Sequence, residues 1–347
     1  MKTKKPIFTN KAQLIRQSVK GFSLIELMVA ITIGLVIIAS LVGVLSATSS
    51  SSSSNDRESD LITNGRYAVD TLKSEIRKAG FKGYTAFAPT MPPSPWTAPT
   101  SGCLEAGSSA GAFISNLHQG IWGSDKTNPF SGNCIPGDGT SATSTYAANT
   151  DILVLRRLSD FPIGNATALS ANTIYFQSTY TQGQLFRSTS VPVRPTFTGV
   201  QQPLDTFTLQ TSVYYISPFT VSVAEVPKVP SLRRIELQSD GSMKDELVVS
   251  GIEQMQIQYG LQPVDNTGKI VSTQFVDSLA GNSTEVATDP KTSWDTVKLV
   301  RLWLLARSAT IEPGYTNSQT YSMGNFSYTP NDSFRRQLFS TIVELRN

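Results

Sequence analysis

The sequence predicts an α+β chain, in which one long amino-terminal helix, apolar in its first half and amphipathic in its second, packs on a mainly antiparallel β-sheet head. Three observations predict it. An apolar run with a single charge, Glu26, fills Phe22 to Leu45. A helical stripe of Leu61, Ala68, Leu72, Ile76 and Ala79 follows, amid charged residues such as Asp56, Arg66, Asp70 and Lys73. From about residue 151 onward, short β-rich runs alternate with turn residues.

The apolar run has the dimensions of a membrane span. Its roughly 24 residues rise about 36 Å as a helix, enough to cross about 30 Å of hydrocarbon with some tilt. It contains no proline. Lys2, Lys4, Lys5, Lys11, Arg16 and Lys20 precede it with no acid among them, which keeps the amino terminus cytoplasmic and sends everything after Leu45 outward. Residues 1–21 thus read as a cytoplasmic leader and 22–45 as a transmembrane helix. A secretory signal would have an apolar stretch of about 7 to 15 residues ending in a small-residue cleavage site. Here the run is longer and Gly21 stands before it. A plain signal anchor, ending near Ala47 to Ser49, fits the length but leaves Glu26 unexplained.

Lys20-Gly21-Phe22-Ser23-Leu24-Ile25-Glu26 resembles the type IV prepilin signal. The resemblance implies that a prepilin peptidase cuts after Gly21 and that the new amine of Phe22 is methylated. A carboxylate at the centre of a membrane helix costs about 2.5 to 3.5 kcal/mol, and less near the interface. Cleavage would supply a cation at matching depth, so that Glu26 pairs with the Phe22 amine of a neighbouring subunit during assembly. The alternative is that Glu26 reaches the cytoplasmic headgroups by itself. Gly34 and Gly43 suit close helix packing, although glycine is common in membrane helices in any case.

Residues 46–83 read as a Ser-rich hinge followed by the amphipathic helix. The tract SATSSSSSSN over 46–55 holds poor helix formers, and a solvated helix and a flexible hinge both remain open. Gly80 and Gly83 end the helix. Residues 84–150, rich in Pro, Gly, Ser, Thr and Ala, read as a loop-rich insertion at the start of an extracytoplasmic head spanning 84–347. Both cysteines, Cys103 and Cys134, fall in it, and a pair facing an oxidising compartment forms a disulfide. Their spacing is not C-x-x-C, and His118 is the sole histidine, a poor basis for a zinc site.

Strands are expected at Asp151–Arg156, Thr173–Phe176, Val213–Ile216, Leu232–Leu237 and Glu246–Val249, with a turn at Asp240-Gly241. Met255, Ile257 and Tyr259 alternate with Gln256 and Gln258 as on a half-buried strand. Val297–Leu305 is apolar apart from Lys298 and Arg301 and reads as a central strand. At the carboxy end, Phe339, Val343 and Leu345 place one more strand in the same sheet. Asp265-Asn266-Thr267-Gly268 is read as a hairpin turn in preference to a calcium loop, since EF-hand spacing is missing.

Charge and motifs exclude several classes. Of 29 Lys and Arg, the six in the leader would be lost on cleavage, leaving 23 against 26 Asp and Glu. The mature chain is slightly acidic, and no direct nucleic-acid binding is predicted. No P-loop occurs and no acid, base and nucleophile set is recognisable, so no catalytic residue, cofactor or metal is assigned and the chain is read as a non-enzyme.

Beyond the signal, Ala68-Val-Asp-Thr-Leu-Lys-Ser-Glu-Ile-Arg-Lys-Ala-Gly-Phe81, Val297-Lys-Leu-Val-Arg-Leu-Trp-Leu-Leu-Ala-Arg307 and Phe334-Arg-Arg to Leu345-Arg-Asn347 resemble the PilW family of minor pilins. That resemblance implies a type IV pilin-like fold. It also implies a low-copy subunit that joins other minor pilins in a priming complex, contacts the major pilin and the inner-membrane assembly platform, and travels at or near the pilus tip. Its location would be a single inner-membrane pass with a periplasmic head, then the pilus tip or cell surface. Two rivals are a minor pseudopilin of a type II secretion system and a tip adhesin using Trp96 and Trp122. A mature chain of about 326 residues is bulky for a major pilin.

Overall fold

The computed structural model describes residues 21–85, 102–103, 110–164, 168–180, 183–187, 189, 204–262, 267, 269–279 and 294–346. The leader before Gly21, Trp96 and most of the Asp265–Gly268 turn lie outside them. The chain divides into two compact units, Met1–Ser54 and Asn55–Asn347.

One helix, α1, runs from Leu24 to Lys78. In the first unit it is the one helix among the described residues long and apolar enough to cross a membrane. Its hydroxyls turn back on the helix: Thr32 Oγ1 donates to Val29 O at 2.9 Å and Ser40 Oγ to Val36 O at 2.8 Å. The structure assigns helix to the 46–55 tract as well. There, Thr48 Oγ1 donates to Val44 O at 2.9 Å and Ser53 Oγ to Ser49 O at 3.0 Å, so these hydroxyls bond carbonyls one turn back rather than competing for the local amides.

In the second unit α1 buries Leu61, Gly65, Ala68, Leu72 and Ile76, the expected stripe with Gly65 added, and Ala79 is buried just beyond the helix end. The helix ends where Gly80 and Gly83 take φ of 79° and 72°, a backbone state that costs glycine little. Gly80 N then donates to Arg156 O at 2.8 Å, tying the helix end to a strand.

The remaining elements, in chain order, are α2 (Ala110–Ser115), β1 (Ile121–Ser124), β2 (Ile152–Leu158), β3 (Tyr175–Ser178), β4 (Gly183–Phe186), β5 (Asp205–Ser217), β6 (Ser231–Leu237), β7 (Met243–Ser250), β8 (Ile252–Leu261), β9 (Gln274–Val276), β10 (Val297–Arg307), β11 (Tyr321–Met323), β12 (Phe326–Tyr328) and β13 (Arg336–Glu344). They form a seven-stranded sheet, a four-stranded sheet ordered β13-β10-β8-β9, and the β11–β12 hairpin. The paired strands are all antiparallel. In the larger sheet β5 is the hub: it pairs with β2, β3 and β6 along its 13 residues.

Every strand expected from the sequence overlaps an observed one, although Thr173–Phe176 shares only Tyr175 and Phe176 with β3, and β10 is central in its sheet as its continuous apolar run implies. The single expected sheet is instead two. Both feed one apolar cluster that includes Leu72, Ile76, Val213, Ile257, Val300 and Val343. The 84–150 segment also does more than loop. Its described part supplies α2 and β1 and buries Phe113, Trp122, Phe130 and Tyr146 in that cluster. Elements of four to six residues are too short for a periodic signal to stand out from a Gly/Ser/Thr background.

Candidate functional site

The amino-terminal segment is built around Ser23 and Glu26. Ser23 precedes the first helical residue, and its Oγ accepts the Glu26 N–H at 3.2 Å, while Ser23 N–H donates to Glu26 Oε2 at 3.1 Å. This reciprocal pair is a capping box, which satisfies amides that the first turn of a helix leaves without partners. The S-x-x-E spacing was there to be read in the sequence, and it gives Glu26 a role inside its own chain. The carboxylate also lies in the first turn, where the helix dipole favours negative charge. Among the described residues Glu26 Oε1 accepts no hydrogen bond, so one oxygen remains for a second cation.

Around this cap the surface is bare. Phe22 is 87% exposed, and Leu24, Ile25, Leu27 and Met28 are exposed beside it. Gly34 and Gly43 have no neighbouring atom within 4 Å of the place a Cβ would take. Such a helix is stable only where lipid or other helices replace water.

In the head, Cys103 and Cys134 are joined by a disulfide with a Cα–Cα distance of 5.0 Å. Cys103 is fully buried in the main cluster and Cys134 packs against it. Trp122, offered above as part of an adhesive platform, is 4% exposed, with its ring 6.0 Å from both Phe130 and Trp294. It is a core residue, because an indole in a strand between two other aromatics gains more from burial than from a wet surface. His118 lines a cleft of about 620 Å³ at the end of α1 together with Lys82, Trp294, Lys298 and Arg346, and among the described residues no acid lines it.

Two buried polar centres hold the sheets together. Asp151 N donates to Met255 O at 2.9 Å, and the Asp151 carboxylate accepts Lys126 N–H at 3.0 Å and Ile257 N–H at 2.6 Å, so this residue stitches the start of β2 to β8. Burial pushes its carboxyl up to about 8, against the pull of those two amide donors. Near the start of β8, Arg336 donates to Glu253 at 2.5 and 3.0 Å and to Asp332 at 2.6 and 2.7 Å. Burial works against the Arg336 charge, but the bonds to Asp332 and Glu253 outweigh it and raise its pKa. Arg307 joins the same Glu253 at 3.2 Å. The network fastens the segment between β10 and β13 to the sheet. Arg336 is buried within this network, whereas Arg335 pairs with Glu312 nearer the surface.

Residues 213–347 match the family model described as Type IV Pilus-assembly protein W, PilW, and residues 16–42 match the prokaryotic N-terminal methylation motif. No curated protein sequence matches the chain. Among solved structures, a type IV-like pilin from Thermus thermophilus aligns with a TM-score of 0.34 at 11% identity, covering 82% of this chain and 95% of that one. The methylation-motif match takes in the capped turn and most of the apolar helix. The PilW match takes in the second half of β5, the whole four-stranded sheet and the Glu253–Arg336 network.

Proposed function

Because this chain is a PilW-family type IV pilin, we propose that it acts as a minor pilin that helps initiate pilus assembly from an inner-membrane priming complex and is carried at or near the filament tip. The observation that carries the reading is the joint presence of the methylation motif over 16–42 and the PilW domain over 213–347 on one chain. The exposed apolar helix supports it, since an element with no buried residue in its spanning window needs partners or lipid along its length.

In this reading the prepilin peptidase cuts between Gly21 and Phe22 and methylates the Phe22 amine. Ser23 and Oε2 of Glu26 keep the first helical turn closed. Oε1 of Glu26 takes the amine of an adjoining subunit, so a charge that is costly in lipid is compensated when helices meet at equal depth. The leader blocks that amine before processing. Assembly is then coupled to cleavage by electrostatics, with the head contributing side-to-side contacts.

Affinity purification of the processed protein from inner membranes, with its partners identified, tests the role. Recovery with pilus minor pilins and the assembly platform is expected. Recovery with secretion-system pseudopilins in their place overturns it.

A further inference from the structure

The loop joining β5 to β6, residues 218–230, holds apolar side chains out in water. Outside the anchor, Val226 at 93% and Val221 at 85% are the most exposed large apolar side chains among the described residues. A hydrogen-bonded turn keeps them there. The Glu225 carboxylate accepts the Thr220 and Val221 amides at 2.7 and 2.9 Å and the Thr220 hydroxyl at 2.9 Å, while Ser231 Oγ donates to Phe219 O at 2.7 Å. A fixed apolar projection of this kind marks a surface that meets another protein or a membrane.

The carboxy end of the same loop borders a cavity of about 240 Å³, which Arg57, Asp60 and Asn64 of α1 line together with Val229, Arg307 and Ser308. The Nε–H groups of Arg57 and Arg307 are both buried, and among the described residues neither has a hydrogen-bond partner. Asp60 is exposed and bonds neither arginine. Arg307 is held through its other nitrogens, by Glu253 at 3.2 Å and Lys228 O at 2.7 Å, but it shares Glu253 with Arg336. Burial lowers the Arg307 pKa more than Glu253 raises it, so its charge is not fully compensated. Two guanidinium donors left unbonded in one polar cavity suit an oxyanion. Ala309 and Thr310 complete that lining, and the next residue, Ile311, is 55% exposed.

We infer that this end of the head docks on the surface of a phospholipid bilayer, with a lipid phosphate entering the Arg57–Arg307 cavity and Val221, Val226 and Ile311 entering the interface beside it. An apolar projection next to a cationic cavity has the polarity of a phospholipid surface, where anionic headgroups lie over acyl chains. A soluble anion would leave the valines bare. A purely apolar partner would leave the two arginines unpaired. Arg57 stands twelve residues after Leu45, about 18 Å of helix, so chain length alone brings this end of the head to the surface of a bilayer that the span crosses. The inference rests on the reading of 22–45 as a membrane span and adds to it a second, reversible contact made by the head.

The test uses the full chain in nanodiscs of phosphatidylethanolamine and phosphatidylglycerol. The two native cysteines are joined, so Val221→Cys supplies one free thiol for a polarity-sensitive bimane label. Val36→Cys carries the label in the span, and Val271→Cys carries it in the connection before β9. The Val221 label is expected to shift to the blue, as the Val36 label does, while the Val271 label keeps its aqueous emission. Arg57→Gln is expected to reverse most of the Val221 shift, and so is a bilayer of digalactosyldiacylglycerol, which has no phosphate. Arg57 makes no side-chain bond among the described residues that folding could lose. An aqueous Val221 label beside a shifted Val36 label overturns the inference and leaves the span intact. A Val221 shift indifferent to both changes also overturns it, since the contact would then be apolar alone. Inorganic phosphate bound in dodecyl maltoside micelles, with an aqueous Val221 label in the nanodisc, would assign the cavity to a soluble anion and overturn it as well. An aqueous Val36 label would remove the span and this inference together.

Discussion

Substitutions can separate the observed capping role of Glu26 from its proposed pairing with a neighbouring amine. Glu26→Gln keeps an oxygen for the Ser23 amide and so preserves the capping box, but it removes the charge; Ser23→Ala does the reverse, at a cost of about 0.5 to 2 kcal/mol of helix stability. Co-purification with partner pilins is expected to fall about fivefold or more in Glu26→Gln, as in Glu26→Ala, and to stay near wild type in Ser23→Ala. If Ser23→Ala alone reproduces the loss, the carboxylate matters for the cap and not for pairing. Asp151 offers a second test at this scale. Its folded pKa of about 8 stands above the ordinary carboxyl value of 3.8, so the folded state holds the proton more tightly. Its contribution is therefore complete below about pH 4 and is lost as pH rises through about 8. Asp151→Asn cannot titrate, so its head should be less stable overall, by about 1 to 3 kcal/mol for the lost acceptor, with a flatter thermal stability profile between pH 5 and 9. Parallel profiles for the two proteins would remove Asp151 from the account.

Among elements, α1 shows both the reach and the limit of sequence reading. Its apolar run, its buried stripe and its glycine stop were legible because burial repeats along a helix and leaves a period. Gly65 was not. It sits on the buried face because a Cβ there would run into the Phe339 ring of β13, a contact between residues far apart in sequence. Gly65→Leu is expected to destabilise the head by about 1 to 3 kcal/mol, and adding Phe339→Ala should return part of that loss. Denaturant unfolding of the single and double variants checks this, and strictly additive losses would contradict it. The strands β8, β10 and β13 were legible for the same reason as α1, whereas of β5 only Val213–Ile216 was. The short β1, β4, β9, β11 and β12 were not, since three or four residues carry no reliable alternation. Trp122, which the rival adhesin reading placed on a surface, packs in the core beside Phe130 and Trp294, as aromatics in loop-rich stretches more often do.

For the molecule as a whole, the head and the anchor make different demands. The head meets its own: two sheets share one core, the disulfide secures the insertion to it, and Glu253, Asp332, Arg307 and Arg336 close the carboxy-terminal sheet. Among the described residues the apolar side chains of the anchor are exposed, and Gly34 and Gly43 have no neighbour at the place a Cβ would take. The sequence carries this segment only as a motif, whereas the capped turn shows how Ser23 and Glu26 hold it and that Oε2 of Glu26 is the oxygen engaged in the cap. The central claim is that processing creates the cation Glu26 requires. Intact-mass and amino-terminal analysis of the protein recovered from assembled filaments tests it most directly: the chain should begin at a methylated Phe22, and an assembled, functional chain that still carries residues 1–21 would contradict it.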